Sequence, residues 1–343
     1  MAALRKQNMI ILILLAVILV QFIALAAVLV SKDRSTTADK ASTPQGTSVQ
    51  AEKDNIPDPL QTTDETPQTP EFPMETEPPV NTLTAEEILS SAQFIAHGMG
   101  EIDGIIALNC KEAFLTHYEK GVRVFEVDLR LTSDMQVVLR HDWRAKWQDG
   151  VSEWSIPTLK DFLKKPYLGE YTPMSFQDLL LLMEEYPDIC IITDSKFIDA
   201  EIVTTQFEAM LRDAENLGLS HLFDRMVIQV YNKLMFKVVD NIHHFPHYIY
   251  TVYLEGLKPT ETAFRELAEF CRTSGIGGIT MGDVLWRDEF APLAEEYGLR
   301  VYTHTINDPA AARAMLDAGV SAIYTDQLGP QDLDGAMIEN EGA

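Results

Sequence analysis

Two acidic residues alternate along one predicted strand. Glu126 and Asp128 lie in residues 122–129, where every second side chain of a strand shares a face, so both carboxylates project from the same side. Paired carboxylates inside a protein repel each other and lose hydration unless a cation or a proton lies between them. The pair therefore predicts a site for a hard divalent cation. The competing interpretation is two carboxylates at a solvated strand end.

A third carboxylate ends the next predicted strand, residues 189–194. Asp194 and Lys196 are two residues apart at the end of this strand and so share a face. An inward Asp194 would add another oxygen ligand, and Lys196 would place a cation where a phosphate could bind. The alternative is a surface ion pair between Lys196 and Asp194 or Asp199.

Two histidines lie at the ends of apolar segments. His97 ends residues 94–97, and His141 follows the apolar residues 137–139. Near a cluster of carboxylates, two histidines could act as a general acid and a general base. Each of them alone could equally be a packed or an exposed histidine.

These residues can form one site only if the fold brings the ends of their strands together. Residues 85–343 show alternating strand and helix patterns that would do so. Eight strands are predicted, at residues 94–97, 122–131, 189–194, 226–231, 248–253, 277–281, 299–306 and 321–326. Six helices are predicted between them, at residues 111–120, 176–185, 200–217, 261–273, 289–297 and 310–318, with polar caps and glycine stops. This alternation predicts an α/β fold, a (β/α)8 TIM barrel, whose sites lie at the carboxyl ends of the strands. The alternative, a doubly wound open sheet, lacks its glycine-rich phosphate loop.

An apolar segment precedes the predicted barrel. Residues 9–30 are interrupted only by Gln21 and are long enough to cross a hydrocarbon core as one helix. They predict a transmembrane anchor, with a cleaved signal peptide as the alternative, because Ala24 and Ala26 could form a cleavage site. Arg5 and Lys6 favour a cytoplasmic start, and therefore a single-pass protein of the cell membrane with an extracytoplasmic body.

The segment between anchor and barrel has a different composition. Residues 31–84 hold eight of the 17 prolines, many Ser, Thr and Glu residues, and few large apolar ones. Such a segment buries too little surface to fold alone, which predicts a disordered linker. The predicted domains are thus an anchor at 1–30, a linker at 31–84 and a barrel at 85–343.

The overall charge limits the partners. The chain of 343 residues has 27 basic and 52 acidic residues, a formal net charge of -25. A phosphate-backbone binder needs a clustered basic surface, so nucleic acid is not a predicted partner. A hydrophobic content of 46% is enough for a large core.

Taken together, these residues resemble the glycerophosphodiester phosphodiesterase family, within the superfamily of phosphatidylinositol-specific phospholipase C-like phosphodiesterases. The matching segments keep the family's order and spacing, at residues 97–98, 109–114, 121–129, 131–142, 194–196, 301–307 and 322–326. The resemblance implies a TIM barrel and a metal-dependent enzyme. Its substrates would be glycerophosphodiesters, hydrolysed to glycerol 3-phosphate and an alcohol, or phospholipid headgroups.

The resemblance also implies roles for individual residues. The acid and base would be His97 and His141. The ligands of Ca²⁺ or Mg²⁺ would be Glu126, Asp128 and Asp194. The residues binding the substrate phosphate would be Asn109, Lys196 and His304.

Several residues depart from the family pattern. Gly98 replaces an arginine that gives a two-pronged phosphate contact, Asp194 replaces a glutamate, and His304 replaces a tryptophan. With Gly98 and Asp194, the chain also resembles the sphingomyelinase D-type phospholipases at these two positions. Those enzymes expel the headgroup and leave a cyclic phosphate. Two alternatives to the hydrolase therefore remain: a headgroup-releasing phospholipase, and a catalytically inactive barrel that binds ligands at the cell surface.

Overall fold

A closed barrel forms the body of the protein. The computed structural model describes residues 83–335 except 145–146 and 255. In this part of the chain nine strands form one sheet, and the pairing of β1 with β2 closes it. Eight strands are parallel, and only β3 pairs with its neighbour β2 in the antiparallel direction. The predicted α/β barrel is confirmed.

The elements alternate along the chain as expected for this fold. The strands are β1 Phe94–Ala96, β2 Val124–Leu131, β3 Val137–Leu139, β4 Cys190–Ser195, β5 Met226–Val230, β6 His247–Thr251, β7 Gly278–Gly282, β8 Arg300–His304 and β9 Ala322–Thr325. The helices are α1 Ala85–Ser91, α2 Lys111–Glu119, α3 Leu159–Phe162, α4 Phe176–Glu185, α5 Ala200–Leu217, α6 Lys233–Ile242, α7 Glu261–Thr273, α8 Phe290–Tyr297, α9 Pro309–Asp317 and α10 Pro330–Gly335. Short 3-10 turns lie at His97–Met99, Ser220–Arg225 and Asp283–Leu285.

All six predicted helices form, within a residue or so of their predicted ends. Ser175 caps α4 with a reciprocal capping box, Thr260 caps α7, and Gly218 ends α5 in the left-handed conformation. Four further helices, α1, α3, α6 and α10, were not predicted, and neither was strand β3.

The side chains of the strands alternate between two apolar clusters, one outside the sheet and one inside the barrel. Outward residues such as Phe125 and Val127 pack in the core between strands and helices. The inward residues nearest the amino ends of the strands, among them Val124 and Ile192, form a second apolar cluster with Ile88 and other residues of α1. Helix α1 thus covers the amino-terminal end of the barrel, and the polar inward residues lie toward the carboxyl end.

The predicted anchor at residues 9–30 and residues 31–82 of the predicted linker lie outside the described residues. Among the helices that are described, none is both long and apolar enough to cross a membrane.

Candidate active site

Three carboxylates meet inside the barrel. Glu126 and Asp128 face inward from β2, and Asp194 is the register partner of Asp128 on β4. One oxygen from each lies within 4.8 Å of those from the other two. All three side chains are buried, so this is not a solvated strand end. The alternation in the sequence is what brings these carboxylates to one place.

Glu126 has an unusual electrostatic environment. Its Oε2 accepts a 2.7 Å hydrogen bond from the backbone N–H of Gly98, and its buried Oε1 has no hydrogen-bond partner among the described residues. Burial, and then repulsion by Asp128, raises the pKa of Glu126 to about 8. A buried carboxylate oxygen without a partner, next to two other carboxylates, fits a hard divalent cation such as Ca²⁺ or Mg²⁺.

Lys196 is bound inside this cluster rather than at the surface. Its Nζ lies 2.6 Å from Asp128 Oδ1 and also pairs with Asp194. Burial alone would lower the pKa of Lys196, but the charges of Asp128 and Asp194 raise it. Burial alone would raise the pKa of Asp128, but Lys196 and the nearby histidines lower it. The lysine is therefore a fixed positive charge beside the carboxylates.

His97 is held by a carboxylate from the other end of the chain. Its Nδ1 lies 2.8 Å from Asp326 Oδ1. Asp326 is held in turn by Asn307, which donates from Nδ2 to Asp326 Oδ2 at 2.8 Å and accepts from the Asp326 N–H at 2.8 Å. Burial alone would lower the pKa of His97, but the bond to Asp326 and the charges of Glu126 and Asp128 raise it to about 9. The imidazole is thus protonated at neutral pH.

His141 lines the same cavity. Its Nδ1 is 3.0 Å from Asp142 Oδ2, and the ring is partly exposed. With Nδ1 of each ring next to an aspartate, Nε2 is the nitrogen left for a substrate. The two histidines therefore line one cavity, as a general acid and a general base of the same site must.

The cavity at the carboxyl end of the barrel has a volume of about 390 Å³. Its lining comprises His97, Glu126, His141, Asp194, Lys196, Gln229, Tyr231, Thr251, Tyr253, Thr280, His304, Thr305 and Tyr324. It includes His304, whose pKa is lowered by burial and by the charge of His97, so that this ring is neutral. Seven of the eight predicted site residues thus lie in this wall or, for Asp128, directly behind it.

Asn109 is placed differently from the prediction. It is fully buried and does not line the cavity. Its Nδ2 donates to Asp128 Oδ2 at 2.6 Å, and its Oδ1 accepts from the Asp128 N–H at 2.8 Å. The structure therefore gives Asn109 a supporting contact to the carboxylate cluster and no place in the cavity lining.

Gly98 has a structural reason for lacking a side chain. Its φ is +55°, and a Cβ at this position would lie 2.8 Å from Cα of Ala107. The tight turn brings its N–H to Glu126. An arginine at this position would need a different turn. The phosphate contact that the resemblance implied for an arginine is therefore not available from residue 98.

Sequence reasoning did not assign roles to Asp326, Asn307 or Tyr231. Tyr231 donates from its hydroxyl to Asp194 Oδ1 at 2.6 Å. Tyr231 and Asp326 end predicted strands and Asn307 follows one, and Asn307 and Asp326 also lie in segments that match the family. Their partners are far away in the chain, so local spacing could not pair them.

Known proteins resemble this chain in sequence and in fold. The family model described as "Glycerophosphoryl diester phosphodiesterase family" matches residues 107–329. No curated protein matches the chain.

Several solved structures share the fold. One is a Silicibacter pomeroyi protein provisionally assigned as a glycerophosphoryl diester phosphodiesterase: TM-score 0.60, 17% identity, covering 75% of this chain and 98% of that one. A second is an Oleispira antarctica phosphodiesterase in complex with the product sn-glycerol-3-phosphate: TM-score 0.57, 16% identity, 72% and 96% covered. A third, a glycerophosphodiester phosphodiesterase from Parabacteroides distasonis, has a TM-score of 0.56 and 17% identity, with 74% and 99% covered.

Proposed function

The chain belongs to the glycerophosphoryl diester phosphodiesterase family, a family of phosphoric diester hydrolases, and from this we propose a specific reaction. The protein hydrolyses glycerophosphodiesters to glycerol 3-phosphate and an alcohol, with the help of a divalent cation. One observation carries the proposal: a carboxylate cluster, a lysine and two histidines converge on one cavity at the carboxyl end of the barrel. The product bound to the Oleispira antarctica phosphodiesterase supports the choice of substrate.

The two histidines divide the proton transfers. His97 carries a proton at neutral pH, since its pKa is raised to about 9, and it protonates the departing alcohol oxygen. His141, the more exposed ring, removes the proton from the attacking hydroxyl of water or of the substrate. Lys196 remains protonated between its two carboxylates and offers positive charge to the phosphoryl oxygens.

The carboxylates supply the cation site. Glu126, Asp128 and Asp194 would hold Ca²⁺ or Mg²⁺, which when bound would stabilise the negative charge on the phosphoryl oxygens. Asn109 and Tyr231 fix the carboxylates of Asp128 and Asp194 through hydrogen bonds of 2.6 Å each. These contacts keep the ligand oxygens oriented.

We also propose where the enzyme acts. Residues 9–30 would anchor it as a single-pass protein in the cell membrane, with the catalytic body outside the cytoplasm. The support is the length of the apolar run and the basic residues before it. The substrates would then be extracytoplasmic diesters.

The test is an assay of the full chain with glycerophosphocholine, in Ca²⁺, in Mg²⁺ and in a chelator. We expect metal-dependent release of glycerol 3-phosphate, reduced at least about a hundredfold in His97→Ala. The matched control is His244→Ala, an exposed histidine that does not line the cavity; it should keep full activity.

The same assay separates the alternatives. Release of choline from lysophosphatidylcholine or sphingomyelin with a cyclic phosphate left behind would identify the headgroup-releasing type. Absence of turnover on every substrate, together with absence of metal binding by calorimetry, would identify a catalytically inactive barrel.

A further inference from the structure

Helix α2 buries a histidine that the proposed mechanism does not use. His117 is fully buried, and its Nε2 lies 3.1 Å from the carbonyl oxygen of Glu101. Because a carbonyl oxygen only accepts, Nε2 carries a hydrogen and donates it. Burial and the charge of Lys120 lower the pKa of His117, so the ring is neutral and its Nδ1 is an acceptor. Nδ1 has no hydrogen-bond partner among the described residues, so packing alone does not explain a histidine here.

The ring lies against the turn that starts at His97. Gly100 follows this turn, and its N–H donates to the carbonyl of His97 at 2.9 Å. Its φ is +93°, and a Cβ at this position would overlap the imidazole of His117. Only a glycine lets the backbone come so close to the ring, so the imidazole sets how far the turn can move toward α2.

The same imidazole holds the residue that fixes the segment after β9. Glu101 donates from its N–H to the carbonyl of Asp326 at 2.6 Å, and its Oε2 accepts from Nε2 of Gln327 at 2.6 Å. Lys120, three residues after His117, donates from Nζ to the carbonyl of Gln327 at 3.1 Å. Residues 326–327 are therefore tied both to Glu101 and to the end of α2.

His117 thus lies behind both partners of one catalytic contact. It touches the backbone of His97's turn at Gly100, and it binds the residue that holds Asp326, which is Glu101. The two backbones come from opposite ends of the barrel sequence and meet where Nδ1 of His97 lies 2.8 Å from Asp326 Oδ1. His117 does not line the cavity, so its effect on the reaction passes through these two backbones.

We propose that His117 is a positioning residue for the pair of His97 and Asp326. Its Nε2–H, bound to the carbonyl of Glu101, fixes the separation of residues 97–100 from residues 326–327. The inference rests on the proposed function, in which His97 protonates the departing alcohol. A shift of either backbone changes how Asp326 holds the ring and turns Nε2 of His97 away from the departing oxygen. Misplacement by about 1 Å costs about a hundredfold in rate.

The kinetic test uses the full chain and the glycerophosphocholine assay. His117→Leu removes the donor and keeps a side chain of similar size, so we expect kcat to fall at least about tenfold while KM stays within about twofold. His117→Gln places an amide N–H near the position of Nε2 and should keep most of kcat. If the leucine variant does not fold, His117→Asn replaces it, because its shorter amide does not reach the carbonyl of Glu101.

A matched control comes from the same helix. Phe114 is fully buried, packs against Phe125 and does not line the cavity. Phe114→Leu should lower stability, as a large-to-small substitution in a core does, but should keep kcat per folded molecule, with the folded fraction measured by circular dichroism. An unchanged kcat in His117→Leu, or equal losses in His117→Leu and His117→Gln, would overturn the proposal.

A double variant shows whether His117 acts through Asp326. In the Asp326→Asn background the pair is already disturbed, so adding His117→Leu should lower kcat by less than about threefold. A further loss as large as that in the unmodified chain would mean that the two residues act independently, which contradicts the proposal.

Urea denaturation of the same variants separates this inference from the proposed function, because it needs no turnover. We expect the combined effect of His117→Leu and Asp326→Asn on the unfolding equilibrium constant to differ at least about threefold from the product of the single effects. Phe114→Leu with Asp326→Asn should follow that product. Coupling without turnover on any substrate would contradict the proposed function and leave the positioning contact intact. Turnover without coupling in either measurement would contradict the inference and leave the proposed function intact.

Discussion

Asp326 is the residue that we expect to control His97. Its Oδ1 accepts a hydrogen bond from Nδ1 of His97, and this bond fixes which ring nitrogen faces the cavity. Asp326→Asn should lower kcat at least about a hundredfold with little change in KM, because the substitution disturbs the ring and not the substrate contacts. Steady-state kinetics over a range of pH checks this.

The pH dependence of the same variant has a definite sign. Asp326 helps to raise the pKa of His97, so its loss lowers that pKa, and the proton on His97 is lost at lower pH. The alkaline limb of kcat should therefore move to lower pH in Asp326→Asn. Asp188→Asn, which alters an aspartate paired with Arg123 outside the cavity, should leave the limb in place. An unmoved limb in Asp326→Asn would show that His97 does not depend on this contact.

Gly98 is the second residue for which we expect a substitution to have a clear effect, here on stability. Gly98 and Gly104 both have a positive φ, but a Cβ at Gly98 would lie 2.8 Å from Cα of Ala107, whereas a Cβ at Gly104 would meet nothing within 4 Å. Both alanine substitutions strain the backbone, and only Gly98→Ala adds a clash. Gly98→Ala should lower the free energy of unfolding by about 1–3 kcal/mol more than Gly104→Ala, measured by urea denaturation. Equal losses would mean that this turn relaxes without cost.

At the residue scale, the sequence predicts the contacts that follow from the alternation of side chains along one strand. The period of two places Glu126 and Asp128 on one face, and parallel pairing then brings Asp194 beside Asp128. The contact between His97 and Asp326 joins residues 229 positions apart. No local spacing encodes such a pair. The buried position of Asn109 likewise depends on the folded turn around Gly98, whose carbonyl accepts from the Asn109 N–H at 3.1 Å.

At the scale of elements, local signals decide which helices can be predicted. Helices α4 and α7 have side-chain caps and clear apolar faces, and they form where predicted. Helix α1 has only seven residues, too few for a clear period, although Thr84 and Glu87 form a capping box at its start. Strand β3 has three residues and depends on pairing with β2. Short elements of this kind are stabilised by tertiary contacts, which the local sequence does not show.

Helix α1 should contribute to stability without touching the site. Ile88 is buried in the apolar cluster at the amino-terminal end of the barrel. Ile88→Ala should lower the free energy of unfolding by about 2–4 kcal/mol, because it leaves a cavity among packed side chains. Leu181→Ala, at an exposed position on α4, should cost much less. Denaturant unfolding measures both, and a similar loss in the two variants would contradict the role of α1 as a packed cover.

At the scale of the whole molecule, the barrel separates stability from chemistry. Its amino-terminal half is apolar and covered by α1, while its carboxyl-terminal half holds the carboxylates, Lys196 and the histidines. The eight parallel strands could be counted from the sequence, and the barrel fold follows from that count. A closed barrel also requires the first strand to pair with the last, and β1 does pair with β9.

The membrane topology is the prediction that concerns the whole chain. If residues 9–30 anchor the protein with its body outside the cytoplasm, trypsin added to intact cells should cut at Lys40 or Lys53 and release the body. We expect the released fragment to keep its hydrolase activity, because every residue assigned to the site lies after residue 96. Protection of the body until the cells are permeabilised would place it in the cytoplasm. A body that is soluble before trypsin is added, with a new amino terminus near Ala26, would identify residues 9–30 as a cleaved signal peptide.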